Sequence, residues 1–145
     1  MTNIGERLMR CVLFLVGLIG LLATDASAVV ETVQGRIKIM QPWVHETSGT
    51  QAILRVTIAN TGAKADRLVR VSTPVADKVL ILDQQSNEGS GLLIPGRSEL
   101  VMGVIDLPRI ELVGLTKSLK ASDTFQLLLV FKQTGKVYVN VLVEK

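Results

Sequence analysis

Two charged side chains interrupt an otherwise apolar stretch, Arg109-Ile110-Glu111-Leu112-Val113-Gly114-Leu115. Two apart on a strand, Arg109 and Glu111 point to one face. Asp83 supplies a further carboxylate upstream, and a pair such as Asp83 with Glu111 has the chemistry for acid–base work. The same pair is too small a set for Ca²⁺, which takes about six to eight oxygen ligands. Arg109 makes either use harder, because guanidinium keeps its proton and has no lone pair to give. Soft donors are sparse. Beyond the first 28 residues there is one histidine, His45, two methionines, Met40 and Met102, and no cysteine. His45 stands beside Glu46 and Thr47 and reads as a solvated loop residue. Met40 and Met102 fall in apolar strands and read as core residues filling gaps. The three share no motif, so spacing alone defines no metal site. A single histidine with no spaced nucleophile gives no triad, and no enzyme is expected.

The first 28 residues have the layout of an export signal. Arg7 and Arg10 precede an apolar run from Cys11 to Ala23, and Ala26-Ser27-Ala28 gives the small-x-small pattern for cleavage. The run has 13 residues, short of the roughly 20 that span a bilayer. Residues 1–28 are therefore read as a signal peptide, and membrane contact is expected only while it is uncleaved. Cys11 is not read as a lipidation site. The remaining domain, 29–145, has 117 residues, enough for one core. Its 14 Lys and Arg stand against 11 Asp and Glu with no basic run. Nucleic-acid binding wants a clustered basic face with stacking rings, and none is expected.

The elements that must position these residues are strands. Ala52, Leu54, Val56 and Ile58 alternate with polar residues, as do Phe125, Leu127, Leu129 and Phe131, and then Val137, Val139, Val141 and Val143. Leu68 falls in phase with Arg70, and Val79 and Ile81 with Asp83. A tight turn at Gln133-Thr134-Gly135-Lys136 joins the last two rows as a hairpin. Asn60-Thr61-Gly62, Thr73-Pro74, Asn87 to Gly91, Pro95-Gly96 and Leu107-Pro108 punctuate the rest. About seven or eight short strands predict an all-β, antiparallel sandwich. Trp43 is expected to pack near its edge.

Several pieces in order resemble the periplasmic copper chaperones of the PCu(A)C family. Ile37 to Trp43 looks like the opening strand, and Thr57-Ile58-Ala59-Asn60-Thr61-Gly62 like a family turn. Asp66-Arg67-Leu68-Val69 resembles Asp-Arg-Leu-Val/Ile. Leu119 to Asp123 is similar to Leu-x-x-Gly-Asp, with Ser122 where glycine is usual. Phe131 and Thr134 to Val137 match the final hairpin. The likeness spans residues 37–143 and implies a single antiparallel Greek-key sandwich of cupredoxin type.

In that family the stretch at 109–115 reads His-x-Met-Leu-x-Gly-Leu and holds copper together with an earlier His and Met. Here the resemblance puts Asp83, Arg109 and Glu111 at ligand positions. It finds no counterpart for the earlier Met, with Leu92 and Leu93 near where that residue would fall. Cu(I) selects thioether, thiolate and imidazole donors, so copper follows from the family and is disfavoured by these residues. The resemblance also implies that Asp83 lies close to Arg109 and Glu111, with the guanidinium between two carboxylates. Two functions are expected from it. One is a periplasmic protein of copper homeostasis that helps load the copper site of cytochrome oxidase beside another envelope protein. The other is a metal-free interaction module on the same scaffold.

Overall fold

A computed structural model describes residues 31–84, 91–104, 106 and 108–145. Ten strands and no helix occur among them, joined edge to edge in one sheet that rolls up almost into a barrel. The path runs β5 (Ala76–Leu82), β8 (Arg109–Leu115), β3 (Gln51–Asn60), β2 (Ile37–His45), β10 (Gly135–Glu144), β9 (Thr124–Phe131), β4 (Asp66–Ser72) and β6 (Leu92–Ile94). Beside this path, β1 (Glu31–Gln34) folds back on β2, and β7 (Ser98–Met102) lies along the second half of β3. Every pairing is antiparallel except that of β10 with β2, which is parallel.

The period-two rows fill the inside. Leu127, Leu129 and Val141 are fully buried, and Val139 and Val137 oppose Leu127 and Leu129 across the β9–β10 ladder. Leu54, Ile58, Ile110 and Leu112 are likewise buried from the other wall. This is the all-β sandwich expected from the alternation. Three details differ from the sequence reading. Strand β1 precedes the expected opening strand, and β6 and β7 add two short pieces. Leu68 and Arg70 do not share a face: a bulge shifts the register between them, so Arg70 is exposed and Val71 turns inward. Met40 is only half-buried, on the outer face opposite Thr57, because Ile37 and Ile39 take the inward positions.

A second bulge, between Met40 and Trp43, sets the register that matters below. Pro42 has no N–H to give to a ladder, and the extra residue accommodates it with Gln41 at φ 49°. The shift aligns Trp43 with Arg55 on β3.

Candidate functional site

Strand β8 lies between β5 and β3, and its alternation divides the stretch 109–115 cleanly. Ile110 and Leu112 point into the core with no exposure. Arg109 and Glu111 therefore face outward. Leu82 stands opposite Arg109, and Glu111 lies between Leu80 on one side and Ile53 on the other. Arg109 Nε approaches Glu111 Oε1 to 2.7 Å, with the two side chains 37% and 20% exposed. The Nε atom itself is buried, and its N–H does not point along the line to the oxygen, so the contact is an ion pair without an aligned hydrogen bond. Half-exposed pairs of this kind stabilise a fold by about 0–1 kcal/mol. The carboxylate thus sits in an apolar frame with its charge answered by one neighbour.

Asp83 follows the last residue of β5, next to the Leu82–Arg109 pairing. Continued alternation puts it in phase with Val79 and Ile81, which pack against the core, rather than with Leu80 and Leu82. The ion pairs among the described residues are Arg109–Glu111 and Lys38–Glu31. Of the three positions, two are joined, and Asp83 stands beside them without an ion pair.

The outer face continues across β3 to β2. Arg55 Cζ lies 4.8 Å from the centroid of the Trp43 ring, and the His45 ring meets the same indole edge-on, 4.8 Å between centroids and 86° between planes. A cation over an indole contributes about 0.5–1 kcal/mol when exposed. Trp43 is thus half-buried under a cation, at the sheet surface. Beside this stack is a groove of about 400 Å³ whose lining includes His45, Ile53, Arg55, Gly103 and Glu111. The stack escaped sequence reading because the partner of Trp43 depends on the bulge. Only the alternation Trp43-Val44-His45 could have put the two rings on one face in advance.

The soft donors do not converge. Met102 is fully buried in the core, Met40 lies on the outer face, and His45 is exposed with Nδ1 3.3 Å from the Lys145 carbonyl oxygen. Leu92 is core and Leu93 is exposed on β6. Among the described residues, no group of three or more His, Cys, Asp or Glu is placed to hold a metal ion. Around Arg109 the side chains are a guanidinium, one carboxylate and the aliphatic chains of Ile53, Leu80 and Leu82, a set without the thioether, thiolate or imidazole donors that Cu(I) selects.

Comparison with known proteins agrees with the architecture. The sequence profile of the LpqE-like family, described as "Putative lipoprotein LpqE-like", matches residues 37–143. The chain belongs to the LpqE-like family. Solved structures that share its architecture include PCuAC domains. The copper-bound PCuAC domain from PmoF2 is 26% identical with a TM-score of 0.71, covering 79% of this chain and 97% of that one. The solution structure of CuI-DR1885 from Deinococcus radiodurans is 25% identical with a TM-score of 0.61, covering 85% of each chain. The apo PCuAC domain from PmoF1, at 21% identity and a TM-score of 0.70, shares the fold. No curated protein sequence matches.

Proposed function

We propose that this chain is an exported, periplasmic member of the copper-chaperone type that acts in copper homeostasis or oxidase copper-site assembly without carrying Cu(I) itself. The scaffold and the copper-bound neighbours support the first half of this reading. The Arg109–Glu111 pair carries the second half, because it occupies the stretch that reads His-x-Met in the family. A guanidinium in that place offers no electron pair and adds repulsion. The apolar side chains around the pair, Ile53, Leu80 and Leu82, give it the character of a protein-contact surface. The old mouth of the metal site then serves as a docking patch for another envelope protein. No catalytic role is assigned, and the signal at residues 1–28 accounts for export.

Titration of the purified chain with Cu(I) under reducing, anaerobic conditions, against a competing chelator, tests this. The expected affinity is no tighter than about micromolar. Retention of one copper per chain against a much tighter chelator overturns the reading and points to His45 with Met40 or Met102. The triple change Asp83→His, Arg109→His, Glu111→Met is expected to raise affinity, incompletely, because the earlier Met has no counterpart.

A further inference from the structure

Cations that are scattered along the sequence are gathered at one end of the molecule. Four turns meet there through backbone hydrogen bonds: Thr61 N donates to Arg36 O, Arg97 N to Gly62 O, and Lys132 N to Arg67 O, each at 2.8 Å. The Asp66 carboxylate ties in the β9–β10 turn, accepting from Gln133 N at 2.8 Å and Thr134 N at 3.0 Å. Arg36, Lys64, Arg97, Lys132 and Lys136 are thereby brought to a single pole, all exposed. None of the five takes part in the ion pairs found among the described residues. The negative charge near them is small. Asp66 is buried and occupied by its hydrogen bonds, and Glu99 is the exposed carboxylate two residues from Arg97.

We propose that this pole docks the protein onto an anionic phospholipid surface. Charge complementarity gives the sign of the partner, and the texture of the pole gives its kind. The five cations are spread over four turns, and of them only Arg36 and Lys64 line the shallow depression of about 460 Å³ found there. The other exposed residues on these turns are Gly35, Thr61, Ala63, Ala65, Pro95 and Gln133, with no aromatic. Protein partners are held by buried aromatic and arginine anchors in desolvated pockets. A headgroup layer instead attracts each nearby cation additively, about fivefold in affinity for each. The pole lies at the Asn60 end of β3, whereas Glu111 pairs with Ile53 near the other end. Seven residues of strand separate them, about 20 Å, so docking by the pole leaves the Arg109–Glu111 face open to the periplasm.

Co-sedimentation of the full chain with vesicles tests the proposal, using phosphatidylcholine alone or mixed with phosphatidylglycerol, at low and high salt. The signal segment carries Arg7 and Arg10 beside its apolar run and contributes equally to every variant, so the readout is each variant's preference for phosphatidylglycerol relative to the parent chain. The triple variant Arg36→Glu, Arg97→Glu, Lys132→Glu is expected to lose at least tenfold of that preference, as is the parent chain at high salt. The single changes Arg97→Gln and Lys132→Gln leave the backbone bonds of the turns in place and should each lower it about fivefold. The pair Lys117→Glu, Lys120→Glu, exposed at the opposite end beside the Thr47–Leu119 bridge, should leave it unchanged. An unaltered preference in the pole variants overturns the proposal. So does a poly-glutamate peptide that binds the pole more tightly than the vesicles, which would assign it to an acidic protein.

Discussion

Asp66 shows how one carboxylate can hold two distant turns. Burial opposes its ionisation, but hydrogen bonds from Thr134 Oγ1 and from the backbone N–H groups of Gln133, Arg67 and Thr134 outweigh that cost, and the group titrates below its ordinary range. The hydroxyl contact is 2.7 Å, as is that from Arg67 N. Because the folded value lies below the unfolded one, about 3.9, the carboxylate stabilises the fold fully above the unfolded value. That stabilisation fades as pH falls through the folded value. Urea midpoints should therefore drop as the pH is lowered below about 4. Asp66→Asn should flatten that acid limb and cost about 1–3 kcal/mol at neutral pH, since an amide cannot accept all four bonds. A variant as stable as the parent at neutral pH would refute the latch. At the same scale, the outward spacing of Arg109 and Glu111 was legible in the sequence, since it needs only alternation. Which carboxylate pairs with the guanidinium was not, because the neighbour of Asp83 depends on where β5 ends.

Elements were legible where their alternation is unbroken. The rows Phe125 to Phe131 and Val137 to Val143 announce β9 and β10 because every second residue is apolar and buried. Strand β1 gave no such signal: its sequence is Glu-Thr-Val-Gln, and its one aliphatic residue, Val33, is 53% exposed. Bulges were invisible for a related reason, since one inserted residue reverses the phase without altering composition, as at Leu68 and Arg70. Backbone conformation explains two positions in the family pattern. Gly114 has φ +71°, and an added Cβ would come within 2.5 Å of Asp77 Oδ2. Ser122 adopts φ 73° in the turn where the family usually has glycine, a region that costs an L side chain about 1–2 kcal/mol. Ser122→Gly should recover part of that cost, about 0.5–1 kcal/mol after the added chain entropy of glycine. Thermal unfolding would then rise by a few degrees, and a lowered midpoint would show that the serine is not strained.

On the scale of the whole molecule, closure depends on one long-range pairing. Strand β10 lies between β9, its hairpin partner, and β2, which it meets in parallel with Leu142 beside Trp43. It also supplies Val137, Val139, Val141 and Val143 to the core. Ending the chain after Lys132 should therefore abolish the cooperative urea transition altogether rather than weaken it, which intrinsic Trp43 fluorescence can follow. A sharp transition in the shortened chain would mean that the remaining strands suffice.

That pairing also fixes an order in time. Trp43 emerges from any narrow passage about a hundred residues before the strand that must lie beside it. Contacts of such sequence separation form slowly, in milliseconds to seconds for β-sandwiches. A chain threaded outward from its N-terminus cannot close early and wedge in the channel, because the closing strand is still inside. The same delay leaves the apolar rows of the emerged part uncovered until Val143 is through, so the chain is most open to aggregation just before its last strand appears, when shielding by a holding chaperone matters most.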